Sequence, residues 1–346
     1  MKTIIKALGT ALAATLALAG PAGAQGSKGA PPPFDKGGVQ IAVVSFLGSG
    51  DWLQAFEAGT KRQADALGVK LTVSQARNDN DTQRSLVEQA INRKVDGIVI
   101  NNGRPEVLKD VAQKALAAGI KVVAYDVNLD NPKIPQIEQS DADMARLVLQ
   151  QAVKDKGDGF VGGAVYVAGF APLDRRYAVW KKVLAEHKAR EKAVWGVVND
   201  TVPASVADQT KAVLRANPDI TVVFTPWDEF AKGVKLAIDE LGVANKVKIY
   251  GVDISTADIQ LMREPNSAWV ATAATNAAVV GEVSVRALAL DIAGRFPGRS
   301  VMLEPTLVTR DDLVKNNIST IEELQAKFPA FRKSDAATAP WIPAPK

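Results

Sequence analysis

Ile120-Lys-Val-Val-Ala-Tyr-Asp126 and, 127 residues later (253 − 126), Val247-Lys-Ile-Tyr-Gly-Val-Asp253 are two versions of one pattern. Each is an apolar run of strand length that ends in an aspartate. Each follows an earlier apolar run and a helix-like segment: Gly97-Ile-Val-Ile-Asn-Asn102 precedes the first, Ile220-Thr-Val-Val-Phe-Thr-Pro-Trp227 the second. Continuous apolar runs that alternate with amphipathic segments read as buried parallel strands joined by crossover helices. Open α/β sheets place ligands beyond the carboxyl ends of their strands. Two such units in one chain predict two lobes whose polar rims face each other, as in a hinged clamp.

The same alternation extends outward in both directions. Val39–Ser45 reads as a strand and Asp51–Leu67 as a helix that Gly68 stops. Val69–Gln75, a helix capped by Asp81 and running to Arg93, and a helix opened by Pro105 and ended by Gly119 complete the first series. A loop with Pro132 and Pro135 leads to a cap at Ser140-Asp141 and a helix through Lys156. Strand 163–168, helix 173–188, strand 193–199, helix 205–216, strand 220–225, helix 228–241 and strand 247–253 follow. Segment 270–276, a helix after Val279 and Leu303–Thr309 close the pattern. The fold class this implies is α/β, with parallel sheets covered on both faces.

At 346 residues the chain suits two domains rather than one. Hydrophobic content of 47% and a mean hydropathy of −0.01 fit ordinary water-soluble cores. The amino terminus differs. Lys2 and Lys6 flank the apolar run Ile4–Ala19, which ends in Pro21-Ala-Gly-Ala24, so residues 1–24 read as a cleaved secretory signal. The run is shorter than the roughly 20 residues a membrane span needs. Residues 25–38 are Pro/Gly-rich and predict a flexible linker, and 336–346, rich in Pro and Ala, a loosely ordered tail. The absence of cysteine fits an exported protein without a disulfide framework and excludes thiol chemistry and thiolate metal sites. Without the signal the formal charge falls from +4 to +2, 40 basic residues against 38 acidic. That balance gives no footprint for nucleic acid.

Signs of catalysis are absent from the sequence. It has no Gly-x-Ser-x-Gly elbow and no P-loop. Gly48-Ser-Gly50 follows the first strand, but Leu53 takes the third glycine position of a dinucleotide loop and Asp51 would repel a pyrophosphate. The sole histidine, His187, lies on a charged helix end among Lys182, Glu186 and Lys188. Asn78-Asp-Asn-Asp81 lacks the glycine and terminal glutamate of a calcium loop and reads as a turn before a helix. No metal or cofactor is expected.

The strand exits carry a different signal. In the first half they hold Ser45, Ser49, Asp51 and Trp52, then Asn101 and Asn102, then Asp126. In the second half they hold Asp174, Arg175 and Arg176, then Asn199, then Trp227 and Asp228, then Asp253, with Thr275 and Asn276 at a last exit. One such residue is equally well a helix cap. Recurrence in both halves is what favours a site. Fork-shaped donors and acceptors with two indoles suit a polyhydroxylated ligand. Trp180, Trp195 and Trp269 fall on core-facing positions instead.

Several stretches together resemble the ribose-type periplasmic binding proteins of ABC sugar importers, whose fold is shared by the effector domains of lac-repressor-type regulators. They are the Ile41-Ala-Val-Val-Ser45 strand, Glu57-Ala-Gly-Thr-Lys-Arg-Gln-Ala-Asp-Ala-Leu-Gly68, Val95-Asp-Gly-Ile-Val-Ile-Asn101, Ala117-Ala-Gly-Ile-Lys-Val-Val-Ala-Tyr-Asp126, Val223-Phe-Thr-Pro-Trp-Asp-Glu229 and Tyr250-Gly-Val-Asp253. The resemblance implies two doubly wound parallel-sheet lobes joined by a three-segment hinge, with the ligand cleft between them. Residues 39–139 and 277–303 would form the amino-terminal lobe, and 140–276 with 304–332 the other, leaving 333–346 as the tail. It implies a monomer without a cofactor that closes on a monosaccharide or sugar alcohol in the periplasm and delivers it to a membrane permease. A sensory protein of the same fold, signalling to a membrane receptor, and a relative of the regulators without DNA binding are the alternatives. By motif, Ser45, Ser49, Asp51 and Trp52 fall on the family's first ligand loop, and Asn101, Asp126 and Asp253 on ligand positions. The family's arginine in the second-lobe loop aligns loosely with Asp174, Arg175 or Arg176. Thr275 or Asn276 falls where it has an amide. Val127 stands in place of a ligand-gripping arginine and Trp227 in place of an asparagine, so the ligand is expected to differ from ribose.

Overall fold

A computed structural model describes residues 29–332 and 334–345. The signal sequence expected over residues 1–24 lies outside them. The first series of elements is β1 (Gln40–Ser45), α1 (Asp51–Leu67), β2 (Lys70–Gln75), α2 (Asn80–Asn92), β3 (Gly97–Asn101), α3 (Pro105–Ala117), β4 (Lys121–Tyr125) and β5 (Gln136–Gln139). The second is α4 (Asp141–Lys156), β6 (Val161–Val165), α5 (Ala171–Glu186), β7 (Arg190–Trp195), α6 (Val202–Ala216), β8 (Val222–Thr225), α7 (Asp228–Leu241), β9 (Lys248–Val252), α8 (Thr256–Arg263) and β10 (Trp269–Ala274). Helix α9 (Ala277–Ile292), strands β11 (Ser300–Leu303) and β12 (Thr306–Thr309), and helices α10 (Arg310–Lys315), α11 (Ile321–Lys327) and α12 (Pro329–Arg332) follow.

The strands form two six-stranded sheets, ordered β11-β5-β4-β3-β1-β2 and β12-β10-β9-β8-β6-β7. The first sheet is parallel throughout. In the second, only β12 runs antiparallel, against β10. Its direction has a simple cause. Strand β11 ends at the cleft side of its sheet, and after Glu304-Pro305 the chain enters the other sheet from that same side. A strand entering at the carboxyl edge must run against its neighbours. The chain also passes between sheets after β5 and after β10, so three adjacent segments connect the lobes.

Buried apolar side chains cover both faces of each sheet. Helices α1 and α9 pack on one face of the first sheet at unusually close range. A Cβ on Gly59 would lie 1.9 Å from the Ala278 carbonyl oxygen, and one on Gly281 2.1 Å from that of Phe56. Any larger residue at either position forces the helices apart. Glycines 68 and 242 end α1 and α7 in the left-handed conformation, each at φ 67°.

Four expectations need correction. The cap of α2 is Asp79, whose carboxylate accepts from the Thr82 amide at 2.7 Å, and Asp81 sits in the first turn. The stretch after Pro135 is a strand, β5, rather than loop. The leader is anchored where described: Ala30 and Phe34 are buried. The tail, too, is packed rather than loose. Trp341 and Ile342 join the core of the amino-terminal lobe, with the Trp341 and Phe34 rings 5.0 Å apart. Gln63 Nε2 donates to the Pro343 carbonyl (2.9 Å) and Arg286 Nη2 to that of Ser334 (2.8 Å). Phe331, just before, belongs to the core of the other lobe.

Candidate functional site

The two aspartates that end β4 and β9 follow their strands in the same unusual conformation. Asp126 has φ 50° and Asp253 φ 74°, both in the left-handed region, and both are buried. Aspartate tolerates that region better than most residues, and such backbone outliers concentrate at functional sites. The turn brings the two carboxylates, one from each lobe, to a cavity between the sheets' carboxyl edges. The cavity measures about 60 Å³.

Its polar wall comprises Asn102, Asp126, Gln139, Arg176 and Asp253. Arg176, from α5, is buried and organises this wall. Its Nε donates to Asp141 (2.7 Å), and its Nη1 to the Pro226 carbonyl (2.6 Å) and to Asp253 Oδ2 (3.2 Å). Arg175 reaches across the cleft, donating to Asp126 Oδ1 at 2.6 Å while its Nε holds Asp141 at 2.7 Å. Gln139 Nε2 lies 3.5 Å from Asp126 Oδ2. Thr275 donates to the Gln139 carbonyl oxygen at 2.6 Å and so orients that amide.

Burial raises Asp253 to about 6, with Arg176 pulling it back and Asp141 adding to the rise. Burial also raises Asp126, Asp141 adds to that, and Arg175 and Arg176 oppose it. Asp253 Oδ1, the Tyr125 hydroxyl and Trp52 Nε1 are buried with no hydrogen-bond partner among the described residues. Buried polar atoms without partners are costly, so these three mark where a ligand would bond.

The rest of the wall is apolar. Trp52 and Tyr125 stack with ring centroids 5.3 Å apart and planes 15° apart. Phe46, Leu47, Phe170 and Leu173 line the cavity with Val198 and Trp227, and Pro172 completes it. Phe46 comes from the amino-terminal lobe but packs with the second lobe's core, 5.4 Å from Phe170.

Of the thirteen residues expected at ligand positions from the resemblance, Trp52, Asp126, Arg176, Trp227 and Asp253 line this cavity, as does Asn102 of the other strand-exit residues. The other eight lie behind it or elsewhere. Ser45 accepts from Asn101 Nδ2 at 3.1 Å, both buried behind the wall. Ser49 is exposed. Asp51 ties the lobes together, accepting from Lys232 Nζ (2.7 Å) and Ser255 Oγ (3.2 Å). Asp174 holds the loop before α5, accepting from the Tyr166 hydroxyl (2.6 Å) and the Gly169 amide (3.1 Å). Arg175 and Thr275 position wall residues, as described above. Asn276 caps α9 through the Ala278 amide and donates to the Phe331 carbonyl. The exits thus carry apolar side chains as well. Phe46, Leu47, Phe170, Leu173 and Val198 sit at the same strand exits as the polar residues singled out from sequence, and an inventory of polar groups alone passes over them. Gln139 was hidden in the unrecognised β5.

The lobes are closed on each other. Besides Asp51 and Arg175, Asn78 Nδ2 donates to Asp200 across the cleft mouth at 2.9 Å, and the Arg104 guanidinium lies 4.8 Å from the Phe170 ring centroid. Lys232 keeps its charge firmly: burial works against it, but Asp228, Asp258 and Glu229 more than offset that. Among the described residues there is no helix long and apolar enough to cross a membrane and no group of acidic or histidine side chains suited to a metal ion.

The sequence model of the periplasmic binding protein domain matches residues 41–295. The chain belongs to that family. Within it, this binding-protein chain is 31% identical over 208 residues to the D-xylose-binding periplasmic protein of Escherichia coli, an alignment covering 58% of this chain and 62% of that one. It is 28% identical over 211 residues to the D-xylose-binding periplasmic protein of Haemophilus influenzae, covering 57% and 61%. The matched region thus spans about three fifths of those relatives' length. Among solved structures, the 5-methylthioribose transporter solute binding protein of Thermotoga lettingae, in complex with 5-methylthioribose, superposes with a TM-score of 0.86 at 35% identity, covering 88% of this chain and 97% of that one. A sugar ABC transporter protein of Yersinia enterocolitica superposes at 0.85 with 30% identity, covering 88% and 93%. These neighbours have the same two-lobed fold.

Proposed function

We propose that this protein is an exported solute-binding protein that captures a monosaccharide or sugar alcohol by hinge closure and delivers it to the permease of an ABC transporter. The observation that carries this reading is the pairing of Asp126 and Asp253, one from each lobe, at a single buried cavity. A ligand whose hydroxyls bond both carboxylates stabilises the closed arrangement over the open one, because only the closed form offers both at once. Arg176 holds Asp253 from behind, and Gln139 stands beside Asp126, so the acceptors are fixed before ligand arrives. The Trp52–Tyr125 stack and Trp227 supply apolar surface for C–H groups. Relatives that bind D-xylose, a pentose, support a pentose scaffold, as does the 5-methylthioribose held by the 35% identical neighbour.

A thermal-melt screen over pentoses, hexoses, their alcohols and small polyols tests this. A true ligand at 100 times its Kd adds about 2.7 kcal/mol of stability. If no carbohydrate shifts the melt and an amino acid or nucleobase does, the ligand class is wrong.

A further inference from the structure

We infer that the cleft is divided in two, and that it selects a sugar in which an uncharged alkyl or alkylthio arm replaces one terminal hydroxyl. This rests on the solute-binding reading above and adds to it which residues sort one sugar from another. The charged part of the wall is one linked network, in which Arg175 and Arg176 join Asp126, Asp141 and Asp253. Arg176 touches Asp253 at 3.2 Å, and Gln139 lies 3.5 Å from Asp126. Much of the remaining wall belongs to one apolar cluster: it includes Phe46, Phe170, Leu173 and Trp227, with Leu47 and Val198 packed against it. None of these six offers a charged or amide side chain.

Aromatic walls that recognise C–H faces of ordinary sugars are common, but Leu47, Leu173 and Val198 are aliphatic and cannot stack. They wall a chamber in which a primary hydroxyl would lose its bonds to water and gain none from these three side chains. A methyl or methylthio group there would instead leave water for apolar contact at no such cost. The chamber also straddles the lobes. Phe46 of the first lobe meets Phe170 of the second at 5.4 Å. An apolar arm would therefore be covered only on closure and would itself favour the closed form.

The test is calorimetric titration of the purified full chain with ribose, 5-deoxyribose and 5-methylthioribose, for the wild type and for Val198→Thr and Leu173→Asn. In the wild type, 5-methylthioribose is expected to bind about 10- to 200-fold more tightly than ribose, the range one apolar group commands in an apolar pocket, with 5-deoxyribose between. Val198→Thr keeps the shape of a half-buried loop residue while adding a hydroxyl, and should narrow the ratio several-fold by weakening the methylthio sugar more than ribose. Leu173→Asn should narrow it further, with melting of the free variant as the check on folding. Ribose binding as tightly as the methylthio sugar overturns the divided cleft and leaves the solute-binding reading intact. An unchanged ratio in Val198→Thr and Leu173→Asn that still melt as folded proteins overturns the chamber as its cause. Binding of an amino acid or nucleobase with no sugar bound overturns both readings.

Discussion

Asp126 and Asp253 occupy the same place in the two halves of the chain, yet they are not used alike. Both follow a buried strand and both take a left-handed backbone. Asp126 is held from the opposite lobe, by Arg175 at 2.6 Å, so it belongs partly to the lobe-to-lobe connection. Asp253 is held from within its own lobe by Arg176, and its Oδ1 is left without a partner among the described residues. The same local pattern thus yields one carboxylate that helps close the clamp and one that is free to grip what the clamp closes on.

The sharpest way to break this comparison is Asp253→Ala. Removing the free acceptor should cost at least about 100-fold in affinity for the ligand found by the melt screen, while the apo protein stays folded, because Arg176 keeps Asp141. Calorimetry beside a melting curve reads both, and retained affinity would take Asp253 out of the site. Asp126→Asn should cost less, about tenfold, and should also loosen closure, since Arg175 then loses a charged partner. Small-angle scattering of the free variant should show an expanded form relative to wild type. If Asp126→Asn costs as much affinity as Asp253→Ala without expansion, the two carboxylates have equal roles.

The smallest effect is on pH. Burial raises Asp253 from 3.8 unfolded to about 6 folded, so between those values the native state keeps a proton that the unfolded chain has lost. The stability that Asp253 contributes to the free protein is then greatest below about pH 4 and falls as pH rises to about 6, by linkage. Asp126, also raised by burial, adds in the same direction. Denaturant titrations across pH 4 to 7 should show this fall in wild type and a smaller one in Asp253→Asn, where Asp126 and the other carboxyls raised by burial, Asp228 and Asp258 among them, still contribute. A ligand hydroxyl donating to Asp253 Oδ1 favours the ionised form, so affinity should strengthen by a few-fold as pH rises through 6. An affinity independent of pH across that window would assign the hydroxyl contacts elsewhere.

Much of this was legible in the chain because local signals agreed. Helix α1 ends at Leu67 and α7 at Leu241, as read, since glycines in the left-handed conformation stop both helices unambiguously. The paired aspartates were legible as strand exits. Strand β5 was not: it has four residues, follows prolines and pairs with β4 over two register positions, so its strand character comes from the sheet rather than from its own pattern. The packed tail escaped for a related reason. Two large apolar residues, Trp341 and Ile342, among Pro and Ala decide its fate, and their partner Phe34 lies at the other end of the chain. The apolar side of the cleft was hidden by looking at strand exits for polar groups, when Phe46, Phe170 and Val198 stood beside them.

The tail has one more effect. After α12 on the second lobe the chain returns to the first, where Trp341 meets Phe34 and Pro343 meets Gln63. Both ends of the described chain are therefore carried on the same rigid body. A pair of dyes at Asp35 and Pro340, beside those contacts, would keep a constant spacing through every opening and closing, and would report nothing. Dyes at Asn78 and Asp200, 2.9 Å apart across the mouth in this form, would separate at once.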